Sequence, residues 1–164
     1  KHVMITGGGS GLGLGMAQRY LKRGVTVSVL DLLVNDFTYR AVMDRFIVLF
    51  EAHFKRNYIH VRDVARAFCH ALDHFDTMKG QHYNVGLSEA NLSKMELCLE
   101  IKKQVPGFNI MEAEIGKDPD QRNYIVSNEK IEATGYAPQV SIQQAITELI
   151  KGYQIIRRNQ HANI

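Results

Sequence analysis

The sequence predicts an α/β fold, and three features of its 164 residues carry that prediction. A short apolar run, Val3-Met4-Ile5, leads straight into the glycine-rich stretch Thr6-Gly-Gly-Gly-Ser-Gly-Leu-Gly13. That stretch opens into an amphipathic segment over residues 14–23, which Gly24 stops. A second apolar run, Val25-Thr-Val-Ser-Val-Leu30, reads as a buried strand ending at Asp31. The order is strand, tight turn, helix, strand, which is a βαβ unit. Beyond it, apolar runs go on alternating with segments of helical period, as a mixed chain requires.

The turn is glycine-rich for a physical reason. The chain must bend sharply off a strand end, and side chains there would keep a phosphate from the backbone N–H groups. A helix N-terminus has unpaired N–H donors and roughly half a positive charge, so a pyrophosphate set against it is stabilised. Thr6, Gly7, Ser10, Gly11, Leu12 and Gly13 are therefore the expected cofactor-binding loop. An acid about twenty residues past such a turn can accept from both hydroxyls of an adenosine ribose. Asp31 stands there, and its carboxylate would repel a 2′-phosphate. With Leu32 after it rather than arginine, the expected cofactor is NAD and not NADP. The competing reading is a structural turn without ligand, with Asp31 a solvated acid at a strand end.

Past Asp31, Leu32-Leu-Val34 prolongs the apolar run, and Asn35-Asp36 is placed to cap a helix over 37–43. Residues 46–50, Phe-Ile-Val-Leu-Phe, read as a strand. Arg56-Asn-Tyr-Ile-His-Val-Arg-Asp63 leads into a helix over 62–75, where Val64, Phe68, Ala71, Leu72 and Phe75 recur at helical spacing. His82-Tyr-Asn-Val-Gly86 reads as a short strand closing on glycine. Ser93 with Glu96 forms a capping box for a helix ending before Pro106-Gly107. Residues 109–115 read as extended, and Asp118-Pro-Asp-Gln-Arg122 as a polar loop. Ser127 is placed to cap a short helix stopped by Gly135. Ser141 with Gln144 opens the last helix, whose apolar face is Ile142, Ala145, Ile146, Leu149, Ile150 and Tyr153. The tail from Arg157 is polar and expected to fray.

Composition narrows the function. The formal charge is +3, with 20 basic and 17 acidic side chains interspersed, so no concentrated basic face suggests nucleic acid. No apolar run approaches the roughly 18–20 residues of a membrane span, and no secretory signal is visible. Lys1 in place of methionine suggests a trimmed start. Cys69 and Cys98 are far apart, and two buried free thiols in a reducing compartment are expected rather than a disulfide or metal site. The expected location is cytoplasmic.

These motifs carry a family resemblance. Residues 1–31 resemble the start of a short-chain dehydrogenase/reductase, whose loop reads Thr-Gly-x-x-x-Gly-x-Gly; Thr6, Gly7, Gly11 and Gly13 match it position by position. The extended branch of that superfamily spaces its loop Thr-Gly-x-x-Gly-x-x-Gly, and Ser10 stands where that branch has glycine. The remainder resembles the extended branch instead. Arg56-Asn-Tyr-Ile-His-Val-Arg-Asp63, Tyr83-Asn-Val-Gly86, Asp118-Pro-Asp with Lys130, and the Ser141 helix look like the C-terminal half of NAD-dependent nucleotide-sugar epimerases and dehydratases. The resemblance implies a truncated Rossmann-like βαβ unit over residues 1–34, joined to the epimerase/dehydratase substrate-binding region over 35–156 and a polar tail over 157–164.

What should lie between the two halves is missing. A doubly wound dinucleotide domain needs more strands and crossover helices after its first βαβ unit, and residues 32–45 leave no room for them. The family's catalytic Tyr-x-x-x-Lys belongs to that middle. None of Tyr20, Tyr39, Tyr58, Tyr83, Tyr124, Tyr136 and Tyr153 has lysine four residues on. No catalytic residue is therefore assigned.

The resemblance places Arg56 where the epimerases contact the nucleotide-sugar diphosphate, and a guanidinium fork suits two phosphate oxygens at once. A surface ion pair with Asp63 or Glu51 is the alternative. Asp120 and Arg122 fall in the family's nucleotide-binding loop, while Tyr83-Asn84 is expected to be structural. His70 and His74 share a helix face beside Asp73, but a third ligand is lacking, so a solvated face is expected and no metal. The expected function is thus an NAD-dependent nucleotide-sugar epimerase/dehydratase-like protein that binds NAD, a nucleotide sugar, or both. The alternatives are a non-catalytic binding protein, or a fusion or deletion product with no evolved activity. Expected partners are a nucleotide sugar and further copies of the chain through exposed strand edges, with no nucleic acid or membrane.

Overall fold

Strand β1 (His2–Thr6) lies parallel to β2 (Thr26–Leu30), pairing residue for residue from His2 with Thr26 to Thr6 with Leu30. Parallel neighbours need a crossover of roughly a dozen residues or more, and residues 7–25 supply that length. The structure is a computed structural model, and it describes residues 2–6, 19, 22, 26–30, 33–113 and 123–155. The expected helix over 14–23 falls outside the described residues except at Arg19 and Lys22, and so do the polar loop at 118–122 and the tail. The chain divides into two compact units, residues 1–36 and 37–164.

Helix α1 (Leu33–Met43) starts earlier than expected. Asn35 and Asp36 do not cap it; they sit in its first turn, where Asp36 still complements the N-terminal partial charge. The helix buries Phe37, Thr38, Ala41 and Val42. It closes where Asp44 N–H and Arg45 N–H both donate to the Arg40 carbonyl at 2.9 Å, with Arg45 left-handed at φ 60°. Strand β3 (Phe46–Leu49) follows as expected and alternates exposed Phe46 and Val48 with buried Ile47 and Leu49. Its parallel partner is β6 (Asn109–Glu112), Phe46 opposite Asn109 and Leu49 opposite Glu112.

Two three-residue strands escaped the sequence pattern. β4 (Lys55–Asn57) runs antiparallel to β5 (Asn91–Ser93), with Arg56 opposite Leu92. Residues 82–86, expected as a strand, join no ladder; a 3₁₀ turn (Ser88–Ala90) leads from them into β5. Among the described residues the strands form three two-stranded sheets.

Helix α2 (Val61–Asp73) is the expected one, capped by His60, whose Nδ1 accepts from Arg62 N–H at 3.1 Å. Its buried side is not the apolar series that located it. Asp63 and Ala67 face inward, while Phe68 and Leu72 are 59% and 72% exposed. Ala67 packs with Met78 of α3 (Phe75–Met78), Ile131 and Tyr136. Helix α4 (Lys94–Gln104) has both bonds of its capping box: Ser93 Oγ accepts from Glu96 N–H at 3.1 Å, and Glu96 Oε2 from Ser93 N–H at 2.7 Å.

The short helix α5 (Glu129–Glu132) has Asn128, not Ser127, as its N-cap, although Ser127 Oγ accepts from Glu129 N–H at 3.4 Å. Gly135, at φ 90°, supplies the left-handed residue after it. The last helix, α6 (Ile142–Ile155), opens on the expected reciprocal pair of Ser141 and Gln144. It buries Ile142, Ala145 and Ile146, packs on α4, and is tied to it where Gln104 Nε2 donates to the Gln143 carbonyl. No helix among the described residues is long and apolar enough to cross a membrane.

Candidate functional site

Two places bear on the expected function, one in each unit. In the first, the Thr6–Leu30 pairing sets the carboxyl ends of β1 and β2 side by side, about 4.8 Å apart. The glycine loop leaves from one of these ends and Asp31 follows the other. That is the strand arrangement a dinucleotide site requires. Gly7, Ser10, Gly11, Leu12, Gly13 and Asp31 themselves lie outside the described residues, and of Thr6 only the backbone is described.

The second place is built on β4. Arg56 is only 5% exposed although it sits on a three-residue strand. Its Nη1 donates to the Lys55 carbonyl at 2.9 Å, and its guanidinium lies 5.4 Å from the centre of the Tyr124 ring. Such a cation–ring contact is stabilising by roughly 0.5–2 kcal/mol, more as it is desolvated. Tyr124 is fastened to the same strand, its N–H donating to the Lys55 carbonyl at 3.3 Å, while Asn123 Oδ1 accepts from Lys55 N–H at 2.9 Å. Arg56 is therefore a cation held in one place by its strand and covered by a half-exposed ring. It is not the exposed member of a surface pair with Asp63. That carboxylate is fully buried, accepting from Gln139 N–H at 2.9 Å, Val140 N–H at 3.0 Å and the Arg66 guanidinium.

Asparagines lash the neighbouring loops to β4 and β5. Asn91 treats Val126 as a strand partner would: Oδ1 accepts from its N–H at 2.9 Å, and Nδ2 donates to its carbonyl at 3.0 Å. Asn57 Nδ2 donates to the Leu87 carbonyl at 2.8 Å, and Asn84 Nδ2 to the Ser127 carbonyl at 3.1 Å. Gly86 sits at the centre, where an added Cβ would stand 1.6 Å from Asn57 Oδ1 and 2.9 Å from Asn128 Oδ1. Asn84 thus has a structural role, as expected, which here is to hold a loop. Tyr83 lies under Lys130, whose Nζ is 4.9 Å from the ring centre.

Burial leaves the phenol beside Arg56 unsuited to proton transfer. Burial pushes the Tyr58 hydroxyl well above the usual phenol range, against the pull of Arg56, and it has no hydrogen-bond partner among the described residues. A phenol so placed stays protonated at neutral pH. Burial likewise pushes the Cys98 thiol up to about 12, whereas Cys69, expected buried, is exposed. His70 Nε2 meets Thr134 Oγ1 at 2.9 Å and the His74 ring stacks on it at 4.1 Å; among the described residues no cluster could hold a metal. Asp120 and Arg122, the other expected substrate ligands, lie outside the described residues. Tyr124, Asn91 and Asn128 were not singled out in the sequence. The asparagines are scattered singly along the sequence, so no local pattern marks them.

Comparison with known proteins agrees with the resemblance. The family model "NAD dependent epimerase/dehydratase family" matches residues 40–86, the span from α1 to Gly86 that contains Arg56. A probable GDP-L-fucose synthase 1 from Oryza sativa subsp. japonica is 30% identical over 99 residues, covering 60% of this chain and 29% of that protein. Among solved structures, RMD from Pseudomonas aeruginosa, complexed with NADPH, superposes with a TM-score of 0.62 at 16% identity, over 87% of this chain and 54% of that one. A UDP-glucose 4-epimerase from Thermus thermophilus, complexed with NAD, gives 0.59 at 19% identity, over 86% of this chain and 50% of that one. The fold is thus Rossmann-like, and the resemblance is to the extended short-chain dehydrogenases. The chain spans about half the length of these solved relatives and less of the curated one.

Proposed function

We propose that this chain binds a nucleotide sugar at the β4 site and NAD at the ends of β1 and β2, and that it lacks the catalytic tyrosine–lysine pair of the epimerases and dehydratases it resembles. The observation that carries the reading is Arg56. It lies within the matched span 40–86 and is fixed by Lys55 and the Tyr124 ring. A guanidinium already held in place loses less entropy on pairing with a diphosphate. The half-exposed Tyr124 ring is the surface the ligand meets first, and it yields as the diphosphate reaches Arg56. Asp120 and Arg122 supply the rest of the nucleotide grip. The glycine loop cradles the NAD pyrophosphate and Asp31 the ribose, which favours NAD over NADP. Division of labour follows the proposed domains, with residues 1–34 for the cofactor and 35–156 for the sugar nucleotide. A cytoplasmic location and self-association through open strand edges belong to the same proposal.

A second reading rests on the missing middle: a fusion or internally deleted chain with no evolved activity. Calorimetric titration separates the two. UDP- and GDP-sugars should bind the native chain, and Arg56→Gln should weaken binding about 10- to 100-fold, the loss of one charge-assisted pair. NAD should bind more tightly than NADP, with the difference removed by Asp31→Ala. No binding of any sugar nucleotide or dinucleotide would favour the second reading.

A further inference from the structure

Buried polar groups in folded proteins are hydrogen-bonded almost without exception, so one without a partner calls for an explanation. The Tyr58 hydroxyl is such a group. Tyr58 is 7% exposed, and its hydroxyl meets no hydrogen-bond partner among the described residues. Its backbone is fully engaged, which fixes where the ring stands. Tyr58 N–H donates to the Ala90 carbonyl at 3.1 Å, and its own carbonyl accepts from Leu87 N–H at 3.2 Å. Tyr58 therefore continues the line of β4 past Asn57, and residues two apart on an extended chain share a face. That face holds Arg56, which is buried as well. Burial keeps the phenol protonated against the pull of the Arg56 charge, with Cys98 and Tyr124 also close enough to act on it.

We propose that the Tyr58 hydroxyl is a second donor to the phosphate that Arg56 receives, unpaired in the free chain and paired once a sugar nucleotide is bound. The inference rests on the β4 site being the sugar-nucleotide site proposed above. A guanidinium has donors only, and a protonated phenol adds one more. Two donors on one strand face, one of them charged, suit an oxygen with negative charge and several lone pairs. No proton changes hands: the hydroxyl keeps its proton and the phosphate oxygen accepts the bond. The Tyr124 ring lies against the Arg56 guanidinium in the free chain, so its movement aside opens the way to both donors.

The buried position makes this one oxygen act in two opposite ways. In an apolar interior a hydrogen bond is stronger than in water, and an unmade one costs more. The unpaired hydroxyl therefore destabilises the free chain, while the same oxygen stabilises the complex. A hydroxyl with a purely structural role would act in one direction only. Losing it would weaken the fold and, through the fold, the binding.

Tyr58→Phe removes the oxygen and leaves the ring, so it separates the two roles. The urea midpoint of the free variant should rise, whereas its affinity for UDP-glucose or GDP-fucose in calorimetric titration should fall about tenfold. Free UDP and GDP should lose as much as their sugars, because the phosphates are common to all four probes. A midpoint that falls would mark a structural hydroxyl and overturn the inference. So would an affinity unchanged by the substitution, or a loss seen with the sugar nucleotides and not with UDP and GDP. In those cases, native binding that Arg56→Gln weakens leaves the reading of the β4 site intact. If the native chain binds none of the four probes, both fail together.

Discussion

Arg56 is the residue on which the functional reading turns, and Gly86 shows how tightly its surroundings are built. A methyl group at Gly86 would stand 1.6 Å from Asn57 Oδ1, whose Nδ2 holds the Leu87 carbonyl. Gly86→Ala should therefore destabilise the chain by about 1–3 kcal/mol, read as a lower denaturation midpoint. An unchanged midpoint would mean that the asparagine lashing is loose. Residue identity was legible here and residue environment was not. The Arg-x-Tyr-x-His-Val-x-Asp run singled out Arg56, but its burial under Tyr124 depends on residues 123–126 lying beside β4, 67 or more positions away in the chain. Asp63 read as a possible surface partner because nothing local shows that Gln139 and Val140 would aim their N–H groups at it. Cys69 was expected buried on residue type alone, and its helix turned it outward.

The two reciprocal capping pairs were read correctly from local sequence, whereas the single-residue caps at Asn35-Asp36 and Ser127 were not. Both capping boxes are four-residue patterns that need no tertiary partner, and both form. β4 and β5 are too short to show a period, so only their pairing defines them. Helix α2 was located by apolar spacing whose side chains then faced outward, because periodicity marks a helix without saying which face the rest of the chain covers. The α4 cap makes a pH prediction. Hydrogen bonds from the backbone and side chain of Ser93 hold the Glu96 carboxyl below the usual carboxylate range. A depressed folded-state pKa contributes stability above the unfolded value and loses it as pH falls through the folded one. Glu96→Gln should thus be less stable than the native chain at pH 7, with the gap closing as pH falls below about 4. A gap independent of pH would show that the carboxylate's charge does not matter. Ser93→Ala should lower stability at neutral pH by about 1 kcal/mol.

At the scale of the whole molecule, the first unit holds a parallel strand pair, and the second holds Arg56 inside the span that the family model matches. None of the seven tyrosines has lysine four residues on, the spacing that the family resemblance implies for a catalytic pair. Removing a sugar hydroxyl proton needs a base within about 3 Å, and a phenol with its ordinary pKa near ~10 is ionised to only about one part in a thousand at neutral pH. Tyr58, the tyrosine nearest Arg56 in sequence, is pushed further from that role by burial. Losing a positioned base removes about 10²–10⁴ in rate. The direct test is to incubate the purified chain with NAD and a panel of nucleotide sugars, and to resolve the sugars by chromatography. The sugars should be recovered unchanged at concentrations where titration shows them bound. Epimerised or dehydrated product that scales with protein, and vanishes in Gly11→Val, would contradict the account.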